Sequence, residues 1–167
     1  MATRINIAGR ATELLHVEDN PGDVALVKEL LKGAGFPVRV SVARDGEEAL
    51  AFLRRRGPFS ASPRPDVILL DLHLPKKDGL EVLSEIKQDR ELKDIPVFIL
   101  SNSESEAAEA KARRLKADLF MGKPMDMRHF AFLAKRLRDF WIRTFRIQPS
   151  PEPPVFRAHA VSAKAPR

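Results

Sequence analysis

The 167-residue sequence predicts an α/β fold in which helices cover both faces of a five-stranded parallel sheet. Short aliphatic segments typical of strands alternate five times along the chain with longer segments whose apolar residues recur at helical spacing. In addition, the apolar run Val67–Leu70 is unbroken and ends abruptly at Asp71. Such a run is expected for a strand that is buried on both faces and emerges at one edge of the sheet.

Each predicted strand is short and is followed by polar or turn-forming residues. The second strand alternates apolar and polar residues, whereas the third and fourth are apolar almost throughout and are expected to be buried. The five predicted strands are Glu13–Val17, Val38–Val42, Val67–Asp71, Ile95–Leu100 and Asp118–Met121.

Capping residues mark the starts of the predicted helices. Asn20 precedes Pro21, and Asp45 precedes an acidic first turn. Asp78 and Ser103 are each followed three residues later by a glutamate, which predicts two capping boxes. The last predicted helix, from about residue 126 to 144, presents one apolar face formed by Phe130, Leu133, Ala134, Leu137 and Trp141.

Prolines indicate where regular structure ends. Four of the residues from 149 to 154 are proline, which forbids a helix or a central strand there. The predicted organisation is an N-terminal tail over residues 1–10, one domain over residues 11–144, and a Pro-rich C-terminal extension over residues 145–167. The order and lengths of the segments suit a flavodoxin-like (βα)5 doubly wound domain.

Composition excludes several classes of function. The chain has no cysteine, which excludes disulfides, thiolate zinc sites and cysteine nucleophiles and suits a reducing cytoplasm. It has no apolar run long enough to span a bilayer, so a cytoplasmic protein without membrane contact is expected. The net charge is +6, but residues 1–10 carry +2 and residues 145–167 carry +3. The nearly neutral remainder argues against a nucleic-acid partner.

Polar residues gather where the strands end. Glu18 and Asp19 follow the first strand, Asp71 ends the third, Ser101 follows the fourth, and Lys123 comes after the fifth. Parallel strands share their carboxyl edge, so these side chains are expected to lie together. Three carboxylates at one place resist ionising together unless a cation holds them, and hard oxygen ligands match Mg²⁺ better than zinc.

These motifs resemble the receiver domain of two-component response regulators, over roughly residues 11–144. The resemblance is carried by four segments at successive strand ends: Val17–Pro21, Ile68–Pro75, Ile99–Ser101 and Gly122–Pro124. The Glu-Asp-Asn-Pro opening, the Leu-Pro-Lys-Lys-Asp-Gly turn and the Phe140-Trp141 pair are more similar to single-domain regulators found with bacterial phytochrome histidine kinases.

The resemblance implies a phosphoryl acceptor. Asp71 would take a phosphoryl group from a phosphohistidine of a sensor histidine kinase. Asp19 and Asp71 would ligate Mg²⁺ directly, the backbone carbonyl of His73 would add a ligand, and Glu18 would act through a coordinated water. The protein would catalyse its own phosphorylation and dephosphorylation, and would not be an enzyme acting on a separate substrate.

The resemblance also implies a switch. Lys123 would pair with a phosphoryl oxygen, and Ser101 would donate its hydroxyl to another once the phosphoryl group is in place. Phe120 would move with the Ser101 loop, although an aromatic residue there is equally typical of core packing. The Lys123–Pro124 peptide bond would be cis. Independently of the resemblance, His16 alternates with buried residues and is expected to pack in the core with its polar atoms hydrogen-bonded.

Two other classes of protein share part of this pattern. A phosphatase of the haloacid-dehalogenase type also uses a strand-end aspartate, but it needs a second aspartate where this chain has His73. A phosphate-independent pseudo-receiver that acts only as a binding module is the serious alternative, and it usually lacks an acid or the lysine. Output is expected through protein contacts, or through service as a phosphoryl shuttle or sink.

The last helix and the extension predict self-association. Phe132 and Ile142 fall outside the apolar face of the helix and would face solvent in a monomer. The extension carries apolar residues among prolines, which is unusual for a solvated linker. We therefore expect a symmetric homodimer built on the fifth helix and the adjoining strand, in which residues 145–156 reach the other protomer.

Overall fold

The computed structural model describes residues 11–33, 37–102, 105–123 and 127–145. Within these ranges, five strands and five α-helices alternate along the chain. The strands are β1 (Thr12–Val17), β2 (Val38–Ala43), β3 (Val67–Asp71), β4 (Val97–Ser101) and β5 (Leu119–Gly122). The helices are α1 (Pro21–Lys32), α2 (Gly46–Leu53), α3 (Gly79–Gln88), α4 (Glu106–Arg114) and α5 (Met127–Phe145).

All strand pairs are parallel, and the strand order is β2-β1-β3-β4-β5. This order confirms the predicted flavodoxin-like doubly wound sheet. One core cluster joins one face of the sheet to α2, α3 and α4, and a second joins the opposite face to α1 and α5. The central strand β3 is buried along its whole length, as its unbroken apolar run predicts.

Three of the predicted helix starts are confirmed by side-chain caps. The Asn20 side chain accepts a hydrogen bond from the Gly22 N–H at 2.8 Å. Asp45 accepts from the Glu48 N–H at 2.8 Å, and Asp78 accepts from a backbone N–H at 2.9 Å. Each cap satisfies a donor that the first turn of a helix leaves unpaired, so α1, α2 and α3 begin where the sequence places them.

The predicted start of α4 was wrong. Ser105 caps this helix by accepting from the Ala108 N–H at 3.3 Å, and the helix begins at Glu106. Glu106 is therefore the first helical residue and not the third, as a capping box from Ser103 would require. Ser103 itself lies outside the described residues. Ser-x-Ser places two capping side chains within two residues, and local sequence alone does not choose between them.

Smaller shifts affect other elements. The fourth strand begins at Val97 and not at Ile95, because the Ile95 N–H donates to the Leu92 carbonyl in a turn and Pro96 has no N–H to donate.

In α5, Leu133 and Leu137 are buried and Phe132 is exposed, as predicted, whereas Ile142 is only partly exposed. The predicted extension beyond residue 145, the N-terminal tail and the Lys123–Pro124 bond involve residues outside the described ranges.

Arg54, the first of three consecutive arginines at the end of α2, has a structural role. Arg54 is the C-terminal cap of α2, and its guanidinium pairs with Glu85 at 3.1 Å and Asp89 at 3.5 Å. Both acids belong to the neighbouring helix α3 or its end. The Arg54 contacts therefore hold two helices of one layer together.

Candidate functional site

Three carboxylate groups meet at the carboxyl edge of the sheet. Glu18 and Asp19 directly follow β1, and Asp71 ends β3, which is paired with β1. One oxygen from each side chain lies within 4.8 Å of the other two. Glu18 and Asp71 are buried, with 2% and 4% of their surface exposed, whereas Asp19 is exposed. The structure thus brings together the three acids that the strand ends predicted.

The Asp71 carboxylate is held at both oxygens. The His73 backbone N–H donates to Oδ1 at 3.1 Å, and the Lys123 ammonium donates to Oδ2 at 3.0 Å. The start of α3 packs directly beneath, where the Gly79 N–H donates to the Leu72 carbonyl at 2.9 Å. Asp71 is therefore fixed by the loop that follows it and by a residue 52 positions away.

Lys123 reaches the site because β5 pairs with β4. Its backbone N–H donates to the Ser101 carbonyl at 2.9 Å, which continues the register of the two strands. Its Nζ atom lies 2.6 Å from Glu18 Oε2, 2.8 Å from Asp23 Oδ2 and 3.0 Å from Asp71 Oδ2. Burial opposes the charged form, but hydrogen bonds to these three carboxylates outweigh burial and raise the pKa of Lys123 above its usual value.

Glu18 shows why this edge needs a cation. Burial raises the pKa of Glu18 above its ordinary value, and the hydrogen bonds from Lys123 and from the Asn20 N–H partly offset that rise. A buried carboxylate that stays ionised requires a partner of opposite charge. In this structure the Lys123 ammonium is that partner for both Glu18 and Asp71.

The two predicted switch residues lie on β4 and β5. Ser101 is the last residue of β4 and is buried, and it pairs in register with Gly122. Phe120 lies on β5 opposite Ile99 and packs, half-buried, against the core cluster on the side of α2, α3 and α4. The fold thus places Ser101 on the strand next to Asp71, and Phe120 one strand farther out.

Two residues near the site were missed or misjudged from the sequence. Asp23, which pairs with Lys123, was missed. The sequence feature that could have indicated it is its position in the first turn of a helix that starts at this edge of the sheet. His16 is buried as expected, but its Nδ1 atom has no hydrogen-bond partner among the described residues, so the prediction of a satisfied side chain was wrong. Burial, followed by the charge of Lys123, lowers the pKa of His16 from 6.5 to about 4.

Comparison with known proteins identifies the family. The family model "Response regulator receiver domain" matches residues 14–134 of the chain. The chain belongs to the response regulator receiver family. This result confirms the resemblance carried by the strand-end motifs, and it makes the protein a response regulator of two-component signalling.

Relatives of this receiver include a phytochrome response regulator. The response regulator Rcp1 of Synechocystis sp. is 40% identical over 131 residues, covering 78% of this chain and 89% of Rcp1. The structure of the Mn²⁺-bound form of Rcp1 has a TM-score of 0.74 at 38% identity and covers 83% of this chain and 99% of that one. The structure of the phosphorylated cyanobacterial phytochrome response regulator RcpA has a TM-score of 0.74 at 41% identity, covering 80% and 96%.

The acidic cluster of this receiver suits a hard divalent cation. Its donors are carboxylate oxygens of Glu18, Asp19 and Asp71, and no sulfur ligand from cysteine exists in the sequence. Two of the three acids are buried and share the Lys123 ammonium, so this cluster depends on positive charge for its stability.

Within the described residues, no helix is both long enough and apolar enough to cross a membrane.

Proposed function

We propose that this protein is a single-domain response regulator that accepts a phosphoryl group on Asp71 from a sensor histidine kinase in a Mg²⁺-dependent reaction. The observation that carries the proposal is the surroundings of the Asp71 carboxylate. Glu18 and Asp19 lie close to it, and the Lys123 ammonium contacts it directly. The structure of the related RcpA, described as phosphorylated, supports the same chemistry here.

In the proposed reaction, an Asp71 oxygen attacks phosphorus as the bond between phosphorus and the histidine nitrogen of the kinase breaks. Glu18, Asp19, Asp71 and the His73 carbonyl would hold Mg²⁺, with Glu18 acting through a water. Bound Mg²⁺ would neutralise charge on the phosphoryl oxygens. The His73 N–H and the Lys123 ammonium orient the Asp71 carboxylate, and Lys123 then pairs with a phosphoryl oxygen.

The proposed switch uses the strands beside Asp71. The Ser101 hydroxyl donates to a second phosphoryl oxygen, which draws the end of β4 toward the site. Phe120 changes position with that movement, since it lies on the strand paired with β4. The changed surface around β4 and β5 is read by a protein partner, or the phosphoryl group is passed on or hydrolysed.

We assign this activity to residues 11–144, which contain every proposed site residue. The partner is a histidine kinase, and we propose one of the phytochrome type, because related structures are described as phytochrome and bacteriophytochrome response regulators. The alternative is a pseudo-receiver that binds partners without phosphorylation. Retention of Asp71, both neighbouring acids and Lys123 favours the phosphoryl acceptor over that alternative.

Incubation with acetyl phosphate and Mg²⁺ is expected to add one phosphoryl group to the protein, on Asp71. Intact-protein mass spectrometry measures the gain, and omission of the metal is expected to abolish it. The matched control is Asp71→Asn, which keeps the size of the side chain and removes the nucleophile. A mass gain that persists in Asp71→Asn, or that needs no metal, would contradict the assignment. Absence of any gain in the folded wild type would favour the pseudo-receiver.

We further propose a symmetric homodimer built on α5 and β5. Phe132 on α5 is 51% exposed, with the Arg136 guanidinium 5.4 Å from its ring centre, and Ile142 is partly exposed farther along the same helix. Large exposed apolar side chains on one helix are typical of a protein contact. Residues 145–156 are proposed to reach across to the other protomer, where their apolar side chains gain burial.

Light scattering is expected to report a dimer for the full chain and a weaker dimer or a monomer for a chain that ends at Thr144. The reason is that truncation removes the proposed contacts of the extension but leaves those of α5. Phe132→Lys in the full chain places a charge at the proposed helix contact and is expected to weaken the dimer. A monomer in every case would reject the interface, and an unchanged dimer after truncation would reject the role of the extension.

A further inference from the structure

The Lys123 ammonium has a third anionic partner that does not belong to the carboxylate cluster. Asp23 lies in the first turn of α1, and its Oδ2 is 2.8 Å from Lys123 Nζ. The position of Asp23 is fixed by the helix cap, because its backbone N–H donates to Asn20 Oδ1 at 3.3 Å. Its side chain is 30% exposed, whereas that of Lys123 is 9% exposed.

Lys123 neutralises two of the three acids in the candidate metal cluster. Its ammonium contacts Glu18 Oε2 and Asp71 Oδ2, and these two acids form the candidate metal cluster together with Asp19. An ammonium and a metal ion that neutralise the same buried carboxylates compete with each other. The strength with which Lys123 holds Glu18 and Asp71 therefore affects how tightly a cation binds.

Asp23 is the one partner of the Lys123 ammonium, among the described residues, that stands outside this competition. It lies on the α1 side of Lys123 and is not one of the three acids whose oxygens converge. The Asp23 carboxylate therefore still pairs with the Lys123 ammonium when a divalent cation binds Glu18 and Asp71. Without the Asp23 charge, Lys123 would be neutralised by Glu18 and Asp71 alone and would hold them more firmly.

We propose that Asp23 is a positioning residue for Lys123: its carboxylate draws the ammonium toward α1 and so leaves Glu18 and Asp71 available to a divalent cation. This inference rests on the proposed function, in which these acids hold Mg²⁺. It assigns Asp23 a role in setting the metal affinity of the site without making it a ligand.

Calorimetric titration with Mg²⁺ at constant ionic strength tests the inference through a double-mutant cycle. Asp23→Asn is expected to weaken Mg²⁺ binding about fivefold, which corresponds to about 1 kcal/mol. In a Lys123→Ala background the same substitution is expected to change the affinity less than about twofold, because a partly exposed charge outside the cluster is screened by water and salt. The difference between the two backgrounds measures the action through Lys123.

Two further variants separate this role from general effects of charge and stability. Glu29→Gln makes the same charge change on an exposed α1 residue that pairs with Lys32 at 2.8 Å, and it is expected to leave Mg²⁺ affinity unchanged. Asp23→Ser, a second neutral replacement, is expected to reproduce the loss seen with Asp23→Asn. Thermal unfolding in a metal chelator is expected to show that each variant is folded.

The outcomes distinguish this inference from the proposed function. Wild-type protein that binds no Mg²⁺ would reject both. Wild-type protein that binds Mg²⁺ and is phosphorylated on Asp71, together with an Asp23→Asn variant of unchanged affinity, would reject the positioning role alone. An equal loss from Asp23→Asn with and without Lys123 would also reject it, since the effect would then be a simple charge effect on the metal.

Discussion

Gly79→Ala will lower the free energy of unfolding by about 3 kcal/mol and the melting temperature by roughly 10 °C. A Cβ atom on Gly79 would lie 2.2 Å from the Asp71 carbonyl oxygen and 2.6 Å from the Leu72 Cα atom. Both neighbours are backbone atoms of β3 and the loop that follows it, so no side-chain rotation can relieve the overlap. Only a shift of α3 away from β3 can make room, and that shift also disturbs the backbone that positions Asp71.

Thermal and urea unfolding measure this effect, with Gly33→Ala as the matched control. A Cβ atom on Gly33 would meet only the Leu30 carbonyl oxygen, at 3.6 Å, which is an ordinary contact. The control is expected to change stability by less than about 1 kcal/mol. Phosphoryl uptake by Gly79→Ala is expected to fall even at temperatures where the variant is folded. A Gly79→Ala variant as stable as the wild type would contradict the close packing of α3 on the end of β3.

Lys123→Ala will separate metal binding from phosphoryl transfer. In a metal chelator the variant is expected to lose about 3 kcal/mol of stability, because Glu18 and Asp71 remain buried without their counter-charge. Mg²⁺ is expected to bind this variant on the order of tenfold more tightly than the wild type, since the ammonium no longer competes for the carboxylates. Phosphoryl uptake from acetyl phosphate is nevertheless expected to fall, because no ammonium remains to pair with a phosphoryl oxygen.

Three measurements on the same preparation check these expectations: unfolding in chelator, calorimetric Mg²⁺ titration and intact mass after acetyl phosphate. Lys32→Ala is the control, since Lys32 is 73% exposed and pairs with Glu29 on the surface of α1. It is expected to change stability by less than about 0.5 kcal/mol. Loss of Mg²⁺ binding in Lys123→Ala would show that the lysine supports the metal site and would contradict its role as a competitor.

The strand ends were predictable because their cause is local. An apolar run that stops at an acid marks the point where a buried strand leaves the sheet, so the sequence alone places Asp71 and the Glu18–Asp19 pair at one edge. The helix starts at Pro21 and Gly46 were predictable for the same reason, since a capping side chain bonds to N–H groups two or three residues away. The start of α4 was not predictable in this way, because Ser103 and Ser105 could each cap the helix.

Other features depend on contacts between distant parts of the chain. Asp23 and Lys123 are 100 positions apart, and their ion pair forms only because the folded sheet brings the Lys123 side chain to the first turn of α1. The unpartnered Nδ1 of His16, among the described residues, likewise reflects which side chains surround it in the folded core. The lack of room for a Cβ atom at Gly79 likewise depends on how closely α3 packs against the backbone of β3.

Local patterns in the sequence are enough to specify the order of strands and helices, the parallel sheet and the set of charged groups at its carboxyl edge, because periodicity and capping act over a few residues. How those charges are shared depends instead on tertiary packing. The packing of β1, β3, β5 and α1 places the Lys123 ammonium about 3 Å from the carboxylates of Glu18, Asp23 and Asp71. Ion pairing depends on these short distances, which no local pattern specifies.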